Sequence, residues 1–174
     1  VAGGMKAGEL FVLAGRPGMG KTTLGLNVAL QVAETGAPVL VCSLEMGAPQ
    51  LGGKMLASMS RQSISRLREG TAHVRAIERA MEAKLKSAQL PVWIFDDSMC
   101  GLDSIAAKAR QVQALAGQPL GLIVVDYLQL MQGKKSRGES REQVISQISR
   151  GLKVMARDLR VPVMALAQLN RQVE

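Results

Sequence analysis

The sequence predicts an α/β domain built on a mostly parallel sheet, and two observations lead there. Short β-rich apolar runs alternate with longer stretches of helical period along the whole chain. Most of those runs are apolar at consecutive positions, as strands covered by helices on both faces must be. The runs are Glu9–Ala14, Pro38–Ser43, Pro91–Asp96, Leu120–Asp126 and Val161–Ala167. At 174 residues the chain is of single-domain length and shows no internal repeat, so residues 1–174 are read as one domain. It ends at Glu174, shortly after the fifth run and without a capping element, which reads as a fragment of a longer protein.

The helices fill the gaps. The first runs from Lys21 to about Glu34 and stops at Gly36, a natural C-terminal glycine. Pro49 suits the first turn of the second. The third places Val74, Ile77, Met81, Leu85 and Ala88 on one apolar stripe, and the fourth follows Asp103 as N-cap and ends near Gly117. The fifth, about Arg141 to Leu159, sets Val144, Ile148, Leu152, Met155 and Leu159 opposite a basic stripe of Arg150, Lys153, Arg157 and Arg160. That basic stripe reads first as a solvated face.

Composition excludes some classes. A hydrophobic fraction of 47% with 21% charged residues suits a packed domain, and no apolar run approaches the ~18 residues of a membrane span. Val1–Gly8 lacks the basic and apolar regions of a secretory signal, so a cytoplasmic home is expected. Cys42 and Cys100 have neither metal-ligand spacing nor disulfide density, and read as plain thiols. Lys and Arg outnumber Asp and Glu by 22 to 14, a net charge of +8 that favours anionic partners without naming one.

Residues 15 to 22 read GRPGMGKT between an apolar strand and a helix. In a G-x-x-x-x-G-K-[ST] loop the glycines let successive N–H groups face phosphates, and the helix N-terminus adds positive potential. Gly15, Gly18 and Gly20 supply that freedom, while Arg16, Pro17 and Met19 shape the loop. Lys21 is expected to reach the β- and γ-phosphates of ATP, Thr22 to hold Mg²⁺, and Thr23 to donate to a phosphate. Such a site also needs a carboxylate for Mg²⁺ at the same sheet edge. Asp126 closes Leu122–Val125, and a buried aspartate is rare unless paired or metal-associated. Glu45 follows the second strand and reads as the general base for water attack, or as a cap of the next helix. Gln168 and Asn170 follow the last strand, where an amide can contact the γ-phosphate or its water, or serve as an ordinary loop residue.

Four segments, GRPGMGKTTL (15 to 24), SLEM (43 to 46), VVDYLQLM (124 to 131) and ALAQLNR (165 to 171), fall in one order across the chain. On these it resembles the RecA-like motor domain of bacterial replicative DNA helicases of the DnaB type. The resemblance implies a three-layer RecA-like P-loop NTPase with strand order 3-2-4-5-1. It implies Lys21 and Thr22 on phosphate and Mg²⁺, Asp126 on Mg²⁺, Glu45 as catalytic base, and Gln168 coupling the γ-phosphate to DNA-contacting loops. It also implies a homo-hexameric ring with ATP at subunit interfaces, acting on single-stranded DNA, with primase and a helicase loader as partners. The family's arginine finger and a further DNA-gripping loop lie beyond the QLNR segment, so residues 1–174 alone are expected to hydrolyse ATP slowly. A recombinase of the same fold, and a nucleotide-controlled assembly or loading protein, are the alternatives.

For DNA contact the basic loop after the fourth strand supplies Lys134, Lys135, Arg137 and Arg141. Aromatic residues are 2% of the chain, so phosphate electrostatics rather than base stacking would dominate. His73 reads as a surface side chain, Trp93 as core, Tyr127 as packing near the Mg²⁺ site, and the ten methionines largely as packing residues.

Overall fold

In the computed structural model, described for residues 4–63, 65–66, 69, 73–98, 100–126 and 140–169, five parallel strands form one sheet. They are β1 (Leu10–Gly15), β2 (Val39–Ser43), β3 (Val92–Phe95), β4 (Leu122–Asp126) and β5 (Val163–Gln168). Their spatial order is β1-β5-β4-β2-β3, the order 3-2-4-5-1 read from the other edge. The described helices are α1 (Lys21–Glu34), α2 (Ala48–Ser60), α3 (Val74–Gln89), α4 (Leu102–Ala116) and α5 (Arg141–Leu159).

Alternation along β4 shows how the layers form. Leu122 and Val124 join Leu26, Leu30, Leu51 and Met55 of α1 and α2 on one face. Ile123 and Val125 join Ile105, Val112, Ile148 and Leu152 of α4 and α5 on the other. All five β4 residues are buried, which is why this run carries no polar residue before Asp126. Gly25 lets α1 lie close to the sheet: a β-carbon there would come within 3.3 Å of Leu166 Cδ1. The strand on the open edge, β1, is less covered, with Val12 53% exposed.

Two local expectations are corrected. Gly101 rather than Asp103 is the N-cap of α4; Asp103 sits in the first turn, where its carboxylate still complements the helix dipole. His73 is exposed, as expected, and from the surface it caps α3, its Nδ1 accepting from Arg75 N at 3.4 Å. The apolar stripe of α3 does not face the core. Helix α3 packs on α2 through Ala80 and Ala83, while Val74, Ile77, Met81, Leu85 and Ala88 are exposed. The small side chains let the two helices approach, and the larger apolar ones point away. Met81 and Met19 are therefore not packing residues, whereas Met55 and Met155 are buried and Met5, Met46, Met59 and Met164 pack partly. Trp93 packs against the core as expected. Tyr127 and Asn170 lie outside the described residues.

Candidate nucleotide-binding site

Every strand is parallel, so the carboxyl ends of all five share one edge of the sheet. Register does the rest. Gly15, the first glycine of the loop, pairs with Gln168, and Ser43 pairs with Asp126. Four sequence segments far apart in the chain thus end within one neighbourhood.

The glycine-rich loop turns through left-handed backbone at Gly18 (φ 77°) and Gly20 (φ 81°), conformations that side chains rarely tolerate. It delivers Lys21 as the first residue of α1. Lys21 Nζ donates to the loop's own Arg16 carbonyl oxygen at 2.9 Å. Thr22 Oγ1 donates to Asp126 Oδ2 at 2.6 Å, joining the helix start to the end of β4. Asp126 is 3% exposed. Burial pushes its carboxyl above the usual carboxylate range, while the Thr22 hydrogen bond and the charges of Lys21 and Lys54 pull the other way. A buried carboxylate raised in this way is a place where a hard cation would be stabilised, and its hydroxyl partner adds a second oxygen donor suited to Mg²⁺.

The segment bearing Glu45 is held from both sides. Met46 N donates to Ser43 Oγ at 3.0 Å, and Ala48 N donates to Asp96 Oδ2 at 2.7 Å. Leu44 N donates to the Asp126 carbonyl oxygen at 2.7 Å. Gly47 is the N-cap of α2 and Asp96 takes its first amide, so Glu45 is not the cap and its side chain is exposed.

A cavity of about 310 Å³ brings these groups together. Its walls are Pro17, Gly18, Gly20, Lys21, Thr22, Thr23, Glu45, Met46, Lys54, Asp126 and Gln168. Gly15, Arg16 and Met19 shape the loop from outside the lining, Met19 being 71% exposed. Lys54 and Asp96 are the residues that sequence reasoning missed. Lys54 lies mid-helix with no motif around it. Asp96 ends the third strand run, and the strand-end logic that found Asp126 could have found it.

Of the DNA-contact candidates, Lys134, Lys135 and Arg137 lie outside the described residues, and Arg141 is described only as the first residue of α5. Among the described residues no group of three or more His, Cys, Asp or Glu could hold a metal ion, and no helix is long and apolar enough to cross a membrane. Cys42 and Cys100 are free and buried.

The family model described as the DnaB-like helicase C-terminal domain matches residues 1–174. The chain belongs to the DnaB-like helicase C-terminal domain family. It is 38% identical over 175 residues to the replicative DNA helicase DnaB of Synechocystis sp., covering 100% of this chain and 20% of that protein. It is 40% identical over 172 residues to the replicative DNA helicase DnaB of Geobacillus stearothermophilus, covering 98% of this chain and 37% of that one. The chain therefore spans well under half the length of these DnaB relatives. A solved DnaB-like replicative helicase, studied for its interactions with primase, superposes with a TM-score of 0.90 at 31% identity over 98% of this chain and 41% of its own. Another solved structure, an ATPase domain, superposes with a TM-score of 0.88 at 32% identity, over 97% of this chain and 60% of its own. The RecA-like three-layer fold expected from the sequence is the one found.

Proposed function

We propose that this chain is the motor domain of a replicative DNA helicase, residues 1–174 being one RecA-like unit of a longer protein. It binds and hydrolyses Mg·ATP to translocate on single-stranded DNA and separate duplex DNA. The observation that carries the reading is the Thr22–Asp126 hydrogen bond of 2.6 Å at the mouth of the glycine-rich loop, with Glu45 and Gln168 on the same cavity.

The loop amides and the N-terminus of α1 would cradle the phosphates, and Lys21 would exchange the Arg16 carbonyl for a phosphate oxygen. Thr22 and Asp126 would hold Mg²⁺, which neutralises charge developing on the phosphates. Glu45 lines the cavity with an exposed carboxylate, suited to orient and deprotonate the attacking water. Gln168, beside Gly15 in the sheet, can report the γ-phosphate to the segments that follow β5. The Lys54 ammonium adds positive charge to the cavity wall.

The exposed apolar face of α3 supports assembly into a ring, since ~44–70% exposure of four large apolar side chains on one helix is what an interface offers before it is covered. A homo-hexamer with ATP between subunits, with primase and a loader as partners in the cytoplasm, is the assembly that the family resemblance suggests.

The test is Glu45→Gln in the intact protein. We expect ATP affinity within about threefold of the parent and hydrolysis lower by about 10² or more, in line with loss of a general base. Unchanged turnover would overturn Glu45 as the general base, whereas function unchanged in the variant despite lost hydrolysis would favour a binding switch over a motor. Asp126→Asn adds a second sign. The native carboxyl is raised, so the folded chain binds more protons than the unfolded one just above pH 3.8. Stability therefore falls as pH rises through the window between the unfolded and the folded value. Without nucleotide, Asp126→Asn should remove that decline in melting temperature while abolishing hydrolysis.

A further inference from the structure

Helix α5 carries a charged feature that the nucleotide site does not use. Arg150, Lys153, Arg157 and Arg160 recur at three- and four-residue steps, so they share one stripe, and all four are exposed. At a rise of about 1.5 Å per residue the stripe is roughly 15 Å long. It ends beside the loop before β1, where Lys153 Nζ donates to the Gly8 carbonyl oxygen at 2.9 Å. Ala7, Gly8, Lys153, Arg157 and Arg160 line an open cleft of about 570 Å³ with no carboxylate in its walls. Among the described residues the guanidinium groups of Arg150, Arg157 and Arg160 have no acidic partner.

The cleft lies at the amino edge of the sheet, since Gly8 precedes β1 and Arg160 precedes β5. The nucleotide cavity lies at the carboxyl edge, a strand length of about 20 Å away. Complementing the α5 dipole accounts for Arg157 and Arg160 but not for Arg150 and Lys153, because that effect fades beyond the last turn. The cleft walls offer no aromatic or large apolar side chain, only Ala7 and Gly8 among the cations. Interfaces with folded proteins concentrate their binding energy on buried Trp, Tyr and Arg anchors, and the cleft supplies Arg with neither aromatic. A nucleic-acid backbone needs only a row of cations.

We propose that the basic stripe of α5 is a second nucleic-acid contact surface that holds phosphate backbone at the opposite edge of the sheet from the nucleotide, without regard to base sequence. The proposal rests on the DNA-helicase reading for the polymer that bears the phosphates.

The experiment uses the intact protein carrying Arg150→Gln, Arg157→Gln and Arg160→Gln together. Binding to a short mixed-sequence duplex and to oligo(dT) is followed by fluorescence anisotropy across a salt series, with DNA-free ATP hydrolysis as the control for folding. We expect the slope of log K against log salt to shrink by about 2 to 3 for at least one of the two, at about 0.7 to 0.9 for each phosphate left unneutralised, with basal hydrolysis unchanged. Which of the two responds identifies duplex or single strand as the source. The matching triple Arg→Lys variant should keep the parental slope, because a phosphate requires only the charge. Equal slopes for parent and Gln variant on both nucleic acids would overturn the proposal. So would a Gln variant that loses binding of poly-glutamate while both slopes stay, since the surface would then serve an acidic polypeptide. If the helicase reading itself fails, the parent protein does not separate a forked duplex with ATP, an outcome read independently of the salt slopes.

Discussion

Helices α3 and α5 are written alike and used in opposite ways. Both are long, both set large apolar residues on one stripe against charge on the other, and periodicity alone gives both a core-facing side. In α5 the stripe is buried, with Ile148 3%, Leu152 0% and Met155 6% exposed. In α3 the corresponding stripe is open, with Val74 65%, Met81 64% and Leu85 70% exposed, and the face against α2 is made of Ala80 and Ala83. The difference lies in what each helix packs on. Helix α5 lies between two strands it connects, β4 and β5, and covers the sheet. Helix α3 leads into the edge strand β3 and packs on another helix, where small residues allow the closest approach. Amphipathic period reports that a face will be covered, but not by which chain.

The largest effect that would sharpen this contrast comes from truncating one leucine on each stripe. Leu152→Ala removes a fully buried side chain and should cost about 2–5 kcal/mol in chemical denaturation. Leu85→Ala should stay within about 0.5 kcal/mol, as expected of an exposed position. A similar loss at both sites would mean that α3 packs its apolar stripe within the chain. The next effect concerns assembly. In the intact protein, Ile77→Glu with Met81→Glu should shift the particle mass by sedimentation from hexamer toward smaller species, with the secondary structure by circular dichroism unchanged. An unaltered ring would show that this stripe is not between subunits.

How much of this is legible in the sequence divides along the same line. Strand order is legible only through the family resemblance, whereas the extent of α1 at Lys21–Glu34 and the placing of Lys21, Thr22, Asp126 and Gln168 at one sheet edge follow from local signals that a parallel sheet converts into position. A glycine loop between strand and helix, and a polar residue closing an apolar run, are statements about one edge, and parallel register makes that edge common to all. Lys54 and the orientation of α3 are not legible, because both depend on how α2 is docked. That docking is fixed in part by Asp96 gripping Ala48 N across 48 residues of sequence. One further signal is local and readable: Ser140-Arg-Glu-Gln143 is a capping box, sitting at the end of a stretch whose composition otherwise says loop.

The two helix starts offer the smallest and most controlled comparison. At α5, Ser140 Oγ accepts from Gln143 N at 3.3 Å and Gln143 Oε1 accepts from Ser140 N at 2.8 Å, so two otherwise orphan donors are satisfied reciprocally. At α3, His73 Nδ1 accepts from Arg75 N at a long 3.4 Å, and only one donor is served. Ser140→Ala should therefore cost about 1 kcal/mol, typical of a lost Ser cap. His73→Ala should cost a few tenths at most, because a bond of that length contributes little. The consequence differs further in kind. Helix α5 is anchored to the core by Leu152 and Ile148, so weakening its cap is felt by the whole domain and should appear in the global denaturation midpoint. Helix α3 buries only Ala80 and Ala83, so weakening its cap should loosen the helix locally, seen as faster amide exchange over its first turn at an unchanged midpoint. If His73→Ala lowered the global midpoint as much as Ser140→Ala, α3 would be part of the cooperative core, and its exposed stripe would need another explanation than a surface kept for a neighbour.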